Sequence, residues 1–190
     1  MNINAKIIAA AMVLAASATA HAADWYVGGA LGRSDFKVDV TGATTADKKD
    51  TGYKLFAGAR LSPNLAIEGG FADLGKATAS DGTNTGKFEL TVFPYIDAVG
   101  ILPLSPQWDL LGRLGLTSSK LKISDTTAGV TTSDSDRSIQ AHFGFGAQYN
   151  ISKTVAVRAE WERFRGKYNK GGNNDSGNVD LLSVGFTFGF

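Results

Sequence analysis

The sequence predicts an all-β chain folded as an eight-stranded antiparallel up-and-down transmembrane β-barrel. Three observations carry that expectation. Side chains alternate between apolar and polar with period two over eight segments, the spacing at which a strand presents its two faces. The connections between those segments alternate between short and long. After the first residues, no apolar run approaches the ~20 positions that a membrane helix needs. The composition agrees: 23 Gly and only 4 Pro accompany 11 Phe and 5 Tyr, a mixture that favours strands and turns over helices.

The N-terminus stands apart. Lys6 is the only charge ahead of an apolar run from Ile7 to Ala18, and Ala20-His21-Ala22 offers small residues at the two positions a signal peptidase reads. A charged start, a short apolar core and an A-x-A site describe a secretory signal peptide. The run is too short to cross ~30 Å of hydrocarbon comfortably. The expected organisation is therefore residues 1–22 as signal peptide, cleaved after Ala22, and residues 23–190 as one outer-membrane barrel domain. In that remainder basic and acidic residues are equal in number. Balanced charge gives no long-range pull toward nucleic acid. Cysteine is absent, so no disulfide or thiolate chemistry is expected. His142 is the only histidine left, fewer than a His-based metal site requires. Neither a cofactor nor a metal is expected.

Eight segments carry the alternation. The first runs from Trp25 to about Ser34, with Trp25, Val27, Gly29 and Leu31 on one face. In the second, Tyr53, Leu55, Ala57, Ala59 and Leu61 oppose Lys54, Phe56, Gly58 and Arg60. The third sets Leu65, Ile67, Gly69 and Phe71 against Ala66, Glu68, Gly70 and Ala72. The fourth, from Phe88 to about Ile101, sets Leu90, Val92, Ile96 and Ala98 against Glu89, Thr91, Tyr95 and Asp97. Pro94 lacks a ladder donor, and a bulge there would shift the facing of the residues beyond it. The fifth opposes Trp108, Leu110, Leu114 and Leu116 to Asp109, Leu111, Arg113 and Thr117. The sixth opposes Ile139, Phe143, Phe145 and Tyr149 to Gln140, His142 and Gln148. The seventh opposes Val155, Val157 and Trp161 to Arg158, Glu160 and Glu162. The eighth opposes Leu182, Val184, Phe186, Phe188 and Phe190 to Leu181, Ser183 and Thr187.

The polar faces decide which way the sheet is turned. They alternate charge with glycine and carry both signs: Lys54, Arg60, Arg113 and Arg158 against Glu68, Asp109, Glu160 and Glu162. On a lipid face each charge would cost ~2–4 kcal/mol near the midplane. A narrow polar lumen accommodates them with partners, and the glycines leave room for long side chains. The lumen cluster expected is Lys54, Arg60, Glu68, Asp109, Arg113, Arg158 and Glu160, with His142 as a lumen hydrogen-bonding residue.

Three connections are short: Ser62-Pro63-Asn64, Leu102 to Gln107, and Asn150 to Lys153. Four are long, polar and Gly-rich: about Phe36 to Asp50, Gly75 to Gly86, Lys122 to Arg137, and Lys167 to Gly177. Three at one rim and four at the other is the number that eight strands with both termini on one side require. Outer-membrane barrels of Gram-negative bacteria put short turns on the periplasmic side and long loops outside. Trp25, Trp108, Tyr149 and Phe190 then fall near the short turns, while Tyr53, Phe71, Phe88, Trp161 and Tyr168 fall toward the long loops, as two interfacial girdles would.

The segment LFAGARLSPNLAIEGGFADLG from Leu55 to Gly75 resembles the second and third strands of the OmpA-type family, including its Pro-Asn turn. VAVRAEW, from Val155 to Trp161, resembles the seventh strand of that family, with Arg-x-Glu pointing inward. SVGFTFGF, from Ser183 to Phe190, resembles its terminal strand. The size is similar to the short OmpX-like members. The resemblance implies an assembly signal at Phe186, Phe188 and Phe190, read by the barrel assembly machinery after escort by periplasmic chaperones. It also implies an ion-paired, porin-like lumen containing Glu68 and Arg158, with Arg113 and Glu160 nearby. Where the family carries a further lumen acid this sequence has Gln148. With no residue after Phe190, the peptidoglycan-binding domain of longer members is not expected.

A lumen of eight strands is filled by side chains, so a wide pore is excluded. The function expected is a structural integral protein of the cell outer membrane, embedded in lipid and lipopolysaccharide, with at most a small gated ion conductance. The alternative is an adhesin acting on a host or surface ligand through its loops. An enzyme is not expected: His142 is the only candidate base, and no Ser-His-acid set has a credible spacing. Asp125, Asp134 and Asp136 fit no calcium loop.

Overall fold

The computed structural model describes residues 24–37, 45–47, 49–80, 84–127, 130–170 and 173–190. The signal peptide expected at residues 1–22 lies outside them. Among the described residues nine strands succeed one another: β1 (Asp24–Lys37), β2 (Thr45–Asp47), β3 (Lys49–Ser62), β4 (Leu65–Ser80), β5 (Asn84–Pro103), β6 (Trp108–Thr127), β7 (Val130–Asn150), β8 (Val155–Lys170) and β9 (Asn173–Gly189). β2 is a three-residue strip lying beside the end of β4. The other eight form the barrel. Each pairs antiparallel with its chain neighbours, β4 pairs with β5, and β9 closes on β1 from Tyr26–Gly189 to Lys37–Asn178. Closure leaves no strand edge in the hydrocarbon, where an unpaired N–H or C=O would cost several kcal/mol, on the order of 2–7.

The greasy face is outside. Leu31, Leu114, Ile139, Phe145 and Leu182 are each more than three-fifths exposed, whereas Lys54, Glu68 and Glu162 are wholly buried. On β6 the lipid-facing run ends at Leu116, and the next outward position is Ser118. On β8 and β9 the first polar outward pair is Arg163 and Asp180, joined by two hydrogen bonds of 2.6 and 2.8 Å. Trp108 and Tyr149 pack with tilted rings at the short-turn end, their centroids 5.0 Å apart. Tyr53–Phe71 and Phe145–Trp161 do so toward the other rim, at 5.8 and 5.1 Å. The side chains of Phe88 and Tyr168, expected in that upper girdle, lie outside the described residues.

Hydroxyl and amide side chains set the short turns. Ser105 Oγ accepts the N–H of Gln107 and Trp108, and Ser152 Oγ accepts those of Thr154 and Val155. Asn64 bridges its own turn to the next, donating from Nδ2 to the Ile101 carbonyl at 3.0 Å. These local bonds replace the ladder partners that the reversing backbone loses.

The long connections differ from the sequence expectation. Much of the Gly75–Gly86, Lys122–Arg137 and Lys167–Gly177 segments is paired strand, and β5, β6 and β7 reach 20, 20 and 21 residues. Beyond the membrane both faces of a strand meet water, so the apolar–polar alternation that betrays a strand disappears although the ladder continues. Thr-rich sequence still suits an extended backbone.

Two bulges reset the facing. Gly75 has φ 74°, and the register of β4 against β5 slips there from Asp73–Thr91 to Lys76–Glu89. Inward positions change from Leu74 to Ala77 as a result. Asp50 holds the bulge by accepting the Lys76 N–H at 2.9 Å. The second bulge sits at Phe93-Pro94, between Val92–Ser119 and Tyr95–Thr117. Val92 therefore points inward, unlike Ile96 and Ala98, with which sequence parity groups it.

Candidate functional site: the ion-paired lumen

Inward side chains form three layers. Near the short turns Ala66, Val99, Ile101 and Leu111 make a small apolar cluster. Toward the long hairpins Phe36, Leu74, Val92, Phe164, Val179 and Leu181 make a larger one. Between them lies an ionic layer contributed by β3 to β8, with Tyr26 of β1.

Arg113, on β6, is its hub. Nη1 lies 3.0 Å from Asp97 Oδ2 and 3.3 Å from Glu162 Oε1. Nη2 lies 3.1 Å from Glu68 Oε2 and contacts Glu160 Oε1. Lys54 reaches from β3 to Glu160 at 2.9 Å and Glu162 at 2.6 Å. Arg158 donates to Glu68 Oε1 at 2.5 Å and, through Nε and Nη2, to Gln148 Oε1 at 3.2 and 3.0 Å. Tyr26 completes the Glu68 site, its hydroxyl donating to Oε1 at 2.8 Å. The Phe56 ring receives both Lys54 Nζ and the Arg158 guanidinium at 5.3 Å. Out of water, such charges are tolerable only when each has partners, and a planar guanidinium can serve several carboxylates at once.

Glycine makes the layer possible. A Cβ on Gly115 would strike the Asp97 carboxylate, one on Gly144 would sit 2.7 Å from Glu162 Cγ, and one on Gly146 would sit 2.8 Å from Glu160 Cγ. The space thus serves the acids of the facing strand as well as long cations.

Of the seven residues expected in the cluster, Lys54, Glu68, Arg113, Arg158 and Glu160 meet in one network. Asp109 makes no ion pair with it among the described residues and is linked to Arg158 only through Gln148. It lies closer to the short turns, accepting from Gln148 Nε2 at 3.3 Å and Asn150 Nδ2 at 2.9 Å. Arg60 also stands apart, half-buried beside Asp24 and Arg158 at a cavity of about 690 Å³ that opens at that end. Asp97, Glu162, His142 and Tyr26 belong to the layer but not to the expected set. Glu162 shares the parity of Glu160, a signal available in the sequence. Asp97 lies beyond the bulge that obscured its facing, and no local feature of Tyr26 announces its partner on β4. Phe186, Phe188 and Phe190 are exposed on the outer face at the end of the chain.

A closed barrel with a girdled apolar exterior and a buried ionic interior defines an integral outer-membrane β-barrel protein. The family model described as outer membrane protein beta-barrel domain matches residues 7–190, and the chain belongs to that family. Its place is the cell outer membrane. Among curated relatives it is 29% identical over 197 residues to outer membrane protein A of Salmonella typhi, covering 96% of this chain and 54% of that one. To outer membrane protein A of Klebsiella pneumoniae it is 24% identical, covering 87% and 51%. The chain thus spans about half the length of these relatives. Among solved structures, Neisserial surface protein A superposes with a TM-score of 0.63 at 14% identity, covering 87% of this chain and 97% of that one. Ail, the attachment invasion locus protein of Yersinia pestis, does so with 0.57 at 18%, covering 87% and 98%.

Proposed function

We propose that the protein is a non-catalytic structural element of the outer membrane, with a lumen that does not conduct steadily. The stacking of an ionic layer between two apolar clusters carries this reading. A hydrated ion would have to pass Phe164, Leu74 and Val179, and then part the Arg113 contacts, before reaching the cavity at the short turns. His142 lies within the same closed layer, with its ring stacked on Phe164, which supports the non-enzymatic reading. The test is conductance across planar bilayers holding the purified protein. The expected trace is silent, with at most brief openings that become more frequent in Arg113→Ala. Sustained unitary currents from the unaltered protein would overturn the reading.

Exposed cations just beyond the lipid band, Arg33, Lys120 and Arg165, suit the phosphates of lipopolysaccharide. We read Phe186, Phe188 and Phe190 as the strand presented to the assembly machinery.

A second reading, adhesion to a surface ligand, is favoured by the length of β5, β6 and β7. Some ten residues of each project past the lipid band as paired sheet, a stiffer platform than free loops. Ail has been crystallised with the heparin analogue sucrose octasulfate, and its fold is similar. Replacing residues 121–136 by a short turn is expected to abolish binding to host cells or matrix while leaving the barrel folded. Unchanged binding removes the adhesin reading.

A further inference from the structure

We infer that Asp97, His142 and Glu162 form a binding site for one divalent cation of the zinc type, at the upper edge of the ionic layer. One ligand atom from each lies within 4.8 Å of the others, and Asp97 Oδ1 and His142 Nε2 are already 3.2 Å apart. A zinc ion holding its ligands at ~2.0–2.2 Å in a tetrahedron sets neighbouring donors ~3.4 Å apart, so the Asp97–His142 pair already has the spacing and any wider separation closes by a side-chain shift of about 1 Å.

The backbone register brings the three together. Asp97 on β5 and His142 on β7 both pair with Gly115 on the intervening β6. Glycine there removes the side chain that would separate them, and Glu162 enters over Gly144.

The free atoms point the same way. Asp97, His142 and Glu162 are 2%, 1% and 0% exposed, and Asp97 Oδ1, both imidazole nitrogens and Glu162 Oε1 have no hydrogen-bond partner. Buried polar atoms are rarely left so. The other oxygen of each carboxylate is occupied: Asp97 Oδ2 accepts from Arg113 at 3.0 Å and Glu162 Oε2 from Lys54 at 2.6 Å. Glu162 Oε1 lies 3.3 Å from Arg113 Nη1 without forming a hydrogen bond. This is the arrangement by which outer groups orient metal ligands. The imidazole is held too, stacked on Phe164 at 4.8 Å and met edge-on by Tyr95 at 5.9 Å.

Charge and donor type select the ligand. The acids Glu68, Asp97, Glu160 and Glu162 outnumber Lys54, Arg113 and Arg158 in this layer. One imidazole nitrogen with two carboxylate oxygens suits zinc and its transition-metal neighbours over the all-oxygen preference of calcium and magnesium. The position gives the ion a task. β7 and β8 pair only as far as Phe143–Arg163, although both strands continue. A cation gripping β5, β7 and β8 would clamp the barrel where that ladder parts.

The test uses protein purified from outer membranes without a histidine tag, stripped with chelator and titrated in micelles with Zn²⁺, Co²⁺ or Mg²⁺. The expected result is one Zn²⁺ per chain, visible d–d absorption with Co²⁺, a displaced His142 imidazole resonance and a raised melting temperature, with Mg²⁺ producing none of these. His142→Gln and Asp97→Asn, checked for folding by heat-modifiable gel migration, are expected to lose the Co²⁺ bands. If the folded wild type takes up neither Zn²⁺ nor Co²⁺, the inference fails. It fails equally if folded His142→Gln binds as the wild type does.

Discussion

Arg113 touches four carboxylates from β4, β5 and β8, so its removal strands several charges at once. Truncating one partner of a buried ionic group costs about 3–5 kcal/mol, far more than the whole group contributes against an apolar substitute. Arg113→Met is therefore expected to lower unfolding stability by that amount in denaturant titrations of the reconstituted barrel. Arg60→Ala is expected to change it by less than about 0.5 kcal/mol, because Arg60 makes no ion pair among the described residues and sits at the open mouth. Equal losses would mean that the network is no more than a set of independent surface-like pairs. Gly146→Ala tests the other half of the packing. Its new methyl meets the Ala159 carbonyl oxygen of the neighbouring strand first and Glu160 Cγ at 2.8 Å, and overpacking of that kind costs at least about 1–3 kcal/mol in the same titration. Which residues face inward was legible from parity except across the bulges at Pro94 and Gly75. Which of them meet was not: Glu68 and Arg158 are separated by 90 positions and Lys54 and Glu162 by 108, and only the stagger of the closed sheet decides their heights.

At the scale of strands, the two faces have opposite tolerances. Phe186 lies at the centre of the lipid-facing run from Leu182 to Phe190. Phe186→Arg is expected to cost about 2–4 kcal/mol, and Ser118→Arg, just past the edge of the band, about 0–1. Equilibrium folding into lipid vesicles measures both, and equal costs would place the bilayer elsewhere on the barrel. The Gly75 bulge is a further element-scale device. A non-glycine residue at φ 74° stores about 1–3 kcal/mol of strain, and a Cβ there meets Asp50. Gly75→Ala is expected to destabilise by at least that amount and to loosen the hairpin of β4 and β5, read as faster amide exchange above Ala77. Parity could announce the strands but not these reversals, because an inserted residue leaves the composition of a segment unchanged while flipping every side chain beyond it.

For the whole molecule, closure separates the barrel from its projections. The lower half of every strand is paired on both sides, whereas β7 and β8 part above Phe143–Arg163. The shortened β6–β7 hairpin is therefore expected to keep its heat-modifiable migration, and failure to do so would show that the projecting sheet supports the barrel. The sequence by itself determined the strand faces away from the two bulges, the count of eight and the membrane exterior, because alternation and turn chemistry are local properties carried by neighbouring residues. Only the tertiary structure decided that polar hairpins continue as sheet, that Pro94 and Gly75 invert the facing, and that Asp97, His142 and Glu162 converge. Those depend on hydrogen-bond register between strands, which is a relation among distant segments and is written in no one of them.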